Sequence, residues 1–139
     1  MLGPPDAKHE VESWILNPTL IADLGDLSDK YLGSWKFPNI STKLTELKFG
    51  RTPRSHPDTC EVYYNTLLNN LQIGNSCPLL KKINIGKCTK LFSLDLGQCL
   101  NLELVDAYGS GLTYLNLPVG STIKELYLPN TLKEIVIDK

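Results

Sequence analysis

The stretch Leu80-Lys-Lys-Ile83-Asn-Ile85-Gly-Lys-Cys88-Thr-Lys-Leu91-Phe-Ser-Leu94-Asp-Leu96-Gly-Gln-Cys99-Leu-Asn-Leu102 holds the same phrase twice and begins it a third time. An apolar residue is followed three positions later by a second, and two positions after that by a third. Leu80-Ile83-Ile85 and Leu91-Leu94-Leu96 are the central examples. Working outward, the phrase returns at Leu44-Leu47-Phe49, Leu68-Leu71-Ile73, Leu102-Val105-Ala107, Leu112-Leu115-Leu117, Ile123-Leu126-Leu128 and Leu132-Ile135-Ile137. From Leu68 onward the first residues step by 12, 11, 11, 10, 11 and 9. A near-constant step signals one supersecondary unit stacked on itself, since a unit this small cannot bury its own apolar face. The expected fold is a repeat solenoid.

Inside each unit the second and third apolar residues usually flank a polar one, as in Ile83-Asn84-Ile85, which is the period-two signature of a strand with one buried face. Turn formers follow: Gly74-Asn75, Gly86-Lys87, Gly97-Gln98, Gly109-Ser110-Gly111, Pro118 and Pro129-Asn130. Eleven residues are too few for a coil closed around a core, whereas two units make about 22, inside the roughly 20–29 of known strand-bearing coils. Strands should then alternate between two sides as short parallel sheets. Gln72, Asp95, Asn116 and Val136 should align outward on one side, and Asn84, Asp106 and Tyr127 on the other.

The 139 residues suffice for one domain with a moderate core, and 42% hydrophobic with 21% charged residues is an ordinary globular composition. A net charge of -1 provides no basic stripe for nucleic acid. No apolar run approaches the roughly 20 residues of a membrane span. The opening Met1-Leu-Gly-Pro-Pro-Asp6 lacks the layout of a signal peptide, which, if that terminus is genuine, argues against secretion by that route.

Cys77, Cys88 and Cys99 are spaced 11 apart, each three residues before the first apolar residue of its unit. That phase argues for buried thiols rather than a disulfide framework. Zinc is disfavoured because structural sites bring short Cys-x-x-Cys pairs.

Residues 1–43 read as an irregular, partly helical N-terminal cap. Leu20, Leu24, Leu27 and Tyr31 step as one helical face, while Gly25 and Gly33 limit its length. Trp14 and Trp35 suit the covering of a core's end. Residues 44–139 form the repeat region. Its one interruption, the polar, proline-bearing segment 51–66, reads as a surface loop that replaces a half-coil. The phrase persists to Ile137 without a polar closing unit, so the chain is expected to be a fragment truncated at its C-terminus or closed by a partner.

These units resemble leucine-rich repeats, in particular the short-step kind of BspA-like bacterial surface proteins, whose rhythm is close to Ile123-Lys-Glu-Leu-Tyr-Leu-Pro-Asn-Thr-Leu-Lys-Glu-Ile135. The run Ile21-Ala-Asp-Leu-Gly-Asp-Leu-Ser-Asp-Lys-Tyr-Leu-Gly33, with Lys43-Leu-Thr-Glu-Leu-Lys-Phe-Gly50, is similar to leucine-rich segments of large tail or virion proteins of gut phages. That resemblance implies a non-enzymatic structural or protein-interaction role in a virion. The alternative it implies is a cell-surface adhesin binding host protein or glycan. The matching positions are the structural apolar ones, so no functional residue is carried over.

Chemistry-bearing motifs are few. Gly86-Lys87-Cys88 is no phosphate loop: Lys81 stands where its first glycine belongs, and Cys88 where Ser or Thr belongs. Asn39-Ile40-Ser41 matches a glycosylation sequon but reads better as a turn after Pro38. His56 and Cys60 share one loop with no rigid third group to orient a base. Asp95 and Asp106 should face opposite ways, which rules out paired-carboxylate chemistry between them. No catalytic residue, cofactor or metal site is expected. The candidate interaction surface comprises Arg51, Arg54, His56, Tyr63 and Tyr64 of the loop, with Asn84, Asp106 and Tyr127 on one strand face. Basic and aromatic content of this kind suits an interface. A loop whose tyrosines simply rest on the cap is the other reading.

Overall fold

The computed structural model describes residues 21–23, 34–36, 43–54, 68–120 and 122–137. They form ten short strands: β1 (Ile21–Asp23), β2 (Ser34–Lys36), β3 (Glu46–Lys48), β4 (Asn70–Gln72), β5 (Lys82–Asn84), β6 (Ser93–Asp95), β7 (Leu104–Asp106), β8 (Tyr114–Leu117), β9 (Glu125–Tyr127) and β10 (Glu134–Ile137). No helix occurs among the described residues.

Every strand pairing is parallel, and the strands alternate between two sides. The odd strands make one sheet in the order β1-β3-β5-β7-β9. Of the even strands, β2 pairs with β4, and β6, β8 and β10 form a three-stranded sheet, with β4 lying beside β6. The registers align Asn84, Asp106 and Tyr127 in one column and Asp95, Asn116 and Val136 in another, as the spacing predicts.

Two expectations are corrected. Residues 21–23, inside the span read as helical, are a strand, and 34–36 of the cap region are another: β1 pairs with β3 and β2 with β4, continuing both sides. Parallel pairing satisfies their backbone groups, and this tertiary gain overrides a local helical spacing. The segment after β3 does not replace a half-coil either. β3 belongs to the odd sheet and β4 to the even side, so the alternation is kept from one to the next.

The core lies between the two sides. Leu47, Leu71, Ile83, Leu94, Val105 and Leu115, the inward residues of successive strands, are all buried. Three-residue strands suffice because each needs only its central side chain inside, as the exposed-buried-exposed pattern of β4 and β6 illustrates. In β9 and β10 the inward residues are more open, with Leu126 36% and Ile135 42% exposed.

The cysteines occupy the joint between two consecutive turns. The Cys88 N–H donates to the Ile85 carbonyl, and the Cys88 carbonyl accepts from the Leu91 N–H. Cys99 repeats this between Leu96 and Leu102. At that joint the side chain is buried, and a compact residue fits, Cys as well as Thr52 and Ser110. Cys77, Cys88 and Cys99 are accordingly buried. Burial pushes the Cys77 thiol up to about 12 and the Cys99 thiol up to about 11, with smaller contributions from Cys99 and Asp95 respectively.

Stacked turns also explain a glycine. A Cβ on Gly50 would lie 2.0 Å from the Gly86 carbonyl oxygen, so the first turn rests directly on the backbone of the next.

Candidate functional site

The outer face of the odd sheet gathers the polar groups of interest. Asn84 and Asp106 each end a strand and turn their side chains back on the backbone. Asn84 Oδ1 accepts the Gly86 N–H at 2.8 Å, and Asp106 Oδ1 accepts the Tyr108 N–H at 3.3 Å. Asp95 does the same on the even side, accepting the Gly97 N–H at 2.9 Å. These bonds spanning two residues are Asx turns, and they account for the Asn or Asp that closes β5, β6 and β7.

Asp106 has a second role. Its other oxygen, Oδ2, accepts the Thr52 hydroxyl at 2.8 Å and lies 3.5 Å from Arg54 Nε. The Arg54 guanidinium lies 3.6 Å from the centroid of the Tyr127 ring and 5.9 Å from that of Tyr108. The segment leaving β3 thus folds across three successive odd strands. Its backbone follows the same course: the Phe49 and Gly50 N–H groups donate to the Asn84 carbonyl, and the Arg51 N–H donates to the Gly86 carbonyl. Asp106 is buried with its partners satisfied, whereas the Arg54 side chain remains 41% exposed.

Among the sequence-derived candidates, Arg54, Asp106 and Tyr127 come together, with Asn84 beside them in the same column. Arg51, Asn84 and Asp106 are buried rather than displayed at the surface, the last two because their side chains fold back onto the turns that follow their strands. The first residues past β3 keep the phase of the repeat: Gly50, Arg51 and Thr52 follow Phe49 as Gly86, Lys87 and Cys88 follow Ile85. Only from Pro53 onward are the described residues of this segment exposed. His56, Tyr63 and Tyr64 lie outside the described residues, as does Cys60. Sequence reasoning missed Thr52 and Tyr108. Thr52 is fully buried at the turn joint used by Cys88 and Ser110, and that shared phase was the available signal.

Tyr127 Oη donates to Glu125 Oε1 at 2.9 Å, and this bond is the main reason its phenol titrates above the ordinary tyrosine range. A small cleft of about 180 Å³ lies beside Arg54, edged by Glu46, Lys48, Lys82, Asn84 and Asp106. Mixed charges of this sort suit polar contact with a partner surface. No group of His, Cys, Asp and Glu among the described residues is arranged to hold a metal ion. No helix among them is long and apolar enough to cross a membrane.

Compared with protein families, curated proteins and solved structures, the chain matches none.

Proposed function

We propose that the chain is a stretch of leucine-rich-repeat solenoid acting as a non-enzymatic structural or protein-recognition module of a phage tail or virion protein. The observation that supports this reading is the regularity of the stack. Lys82 registers with Leu104, and Leu104 with Glu125, so consecutive odd strands recur after 22 and 21 residues with two apolar phrases per coil. A rigid stack of this kind presents columns of side chains at the fixed inter-strand spacing, about 4.8 Å, which suits repetitive contact with another protein. Over the column Asn84, Asp106 and Tyr127, in which Asn84 and Asp106 are buried, the exposed Arg54 and the half-buried Tyr127 form the part of that surface with the composition of an interface.

The second reading, a BspA-like cell-surface adhesin, draws on the rhythm of Ile123 to Ile135. Reading the coding DNA on both sides of this sequence separates the two. Portal, capsid or tail genes alongside, together with peptides of this chain in purified particles, support the virion role. An encoded leader and a wall anchor support the adhesin. A hydrolytic activity of the purified chain that disappears in His56→Ala or Cys60→Ala would overturn both.

A further inference from the structure

A second, larger cleft among the described residues adjoins the Arg54 contact through Tyr108 and runs along the stacked turns that follow β5, β7 and β9. It encloses about 530 Å³ and is bordered by Lys87, Thr89, Tyr108, Gly109 and Asn130, among others. That volume falls in the roughly 300–1,000 Å³ range of small-molecule sites. Arg51, Lys87, Gly109 and Asn130 occupy the same place in four successive turns, two residues after Phe49, Ile85, Ala107 and Leu128. Lys87 has φ 59° and Gly109 has φ 73°, so two of these four turns adopt the left-handed region there. At position 109 glycine adopts it without strain and adds no side chain to the cleft bordered by Lys87 and Asn130. A Cβ built on Gly109 would lie 3.3 Å from Lys87 Cγ, so that stem forms one wall.

The chemistry of the lining narrows the ligand. Tyr108, 49% exposed, offers an aromatic surface. Asn130 and Thr89 are exposed and bring an amide and a hydroxyl, and no carboxylate is among the lining residues. Backbone donors are committed elsewhere: the Lys87 N–H donates to the Tyr108 carbonyl, and the Ser110 N–H to the Ala107 carbonyl. Those two donors are therefore not available to a cradle of backbone N–H groups of the kind phosphate requires. An extended peptide would seek a sheet edge, and this cleft lies on turns instead. A ligand that suits it has one apolar face to lay on an aromatic ring and a rim of hydroxyls for an amide and a hydroxyl to engage. A pyranose ring has both.

We propose that the cleft between Lys87, Tyr108 and Asn130 is a carbohydrate-binding subsite that takes a terminal pyranose residue. This rests on the reading of the chain as a recognition module and names one class of target for it.

The test uses the full chain, isotope-labelled, titrated with glucose, galactose, N-acetylglucosamine and glucuronic acid at millimolar concentrations and followed by amide NMR. At least one sugar is expected to shift the signals of Lys87, Tyr108, Gly109 and Asn130 in a saturable manner. In Tyr108→Ala and Asn130→Ala that sugar should bind about ten-fold more weakly, the loss of one ring or amide contact. A melt of each variant matching the parent establishes that the fold is kept. If one variant does not fold, the other decides. No saturable shift with any of the four sugars, shifts confined to other residues, or unchanged binding in a folded variant would overturn the proposal. The recognition reading itself is judged by the flanking genes and would survive that failure.

Discussion

The guanidinium of Arg54 lies 3.6 Å from the centroid of the Tyr127 ring, although two odd strands, β5 and β7, lie between β3, which Arg54 follows, and β9, which carries Tyr127. The same guanidinium approaches Asp106 with its Nε, and Asp106 also accepts the Thr52 hydroxyl. One short segment beyond β3 is thereby fastened across β5, β7 and β9. The contact is cation–π on one side and ion pair on the other, a combination that Arg makes with its flat, delocalised charge and Lys does not.

The two ends of this contact should contribute unequally. Arg54 is partly solvated, so Arg54→Ala should cost about 1 kcal/mol. Asp106 is buried and charge-assisted in its bonds, so Asp106→Ala should cost about 2–3 kcal/mol. Urea unfolding of both single variants and the double variant gives the coupling, expected at about 0.5–1 kcal/mol. Arg54→Lys should recover less than half of the loss. Zero coupling would show that the contact contributes nothing to stability.

The glycines of the turn stack should respond by geometry, not by exposure. In Gly50→Ala the new methyl meets the Gly86 carbonyl at 2.0 Å, backbone against backbone, and the turn must open. A loss of about 3 kcal/mol or more is expected. In Gly109→Ala the neighbour is a lysine stem at 3.3 Å, which yields, and the left-handed φ dominates at about 1 kcal/mol. Thermal melts of the two variants should fall in that order.

The apolar phrase itself is testable at its centre. Leu94 and Leu115 face each other in register across β6 and β8 and are both buried. Leu94→Asp or Leu115→Asp places an unpaired charge in a core only one coil wide, and each should cost about 4 kcal/mol or more. Gln72→Ala, on the exposed face of β4, should change the melting point by little. A Leu94→Asp chain that melts like the parent would falsify the register.

The buried thiols predict a pH dependence. Unfolded, Cys77 and Cys99 ionise near 9.0, whereas in the folded chain they ionise near 12 and 11. Between those values the unfolded chain has released protons that the folded chain retains. Their contribution is therefore complete below pH 9 and declines as the pH rises, by roughly 1.4 kcal/mol per unit for each thiol. Urea unfolding at pH 8, 9 and 10 should show a steeper decline for the parent than for Cys77→Ala/Cys99→Ala. A thiol reagent at pH 8 should leave Cys77, Cys88 and Cys99 unmodified until denaturant is added.

Much of the fold was legible because its period is short and its core narrow. A step near 11 with two apolar residues flanking a polar one admits few arrangements other than short strands alternating between two sides. The columns Asn84-Asp106-Tyr127 and Asp95-Asn116-Val136 follow from counting. Ile21–Asp23 were not read as a strand because three residues carry no period of their own, and only the pairing of β1 with β3 reveals it. The first two residues of the segment 51–66 differ from expectation for a related reason. Its prolines and charges mark a loop, yet Arg51 and Thr52 are still part of the turn stack.

By itself, then, the sequence determined the alternation of strands, the inward residues, and the burial of Cys77, Cys88 and Cys99. Each of these depends on spacings of a few residues that the backbone converts directly into direction. Only the tertiary structure decided that Arg54 would meet Asp106 and Tyr127, that Thr52 would bond a carboxylate 54 residues away, and that a cleft would open at Gly109. Those contacts join different coils, and their distances are set by how turns of unequal length stack, a quantity that no local pattern in the chain encodes.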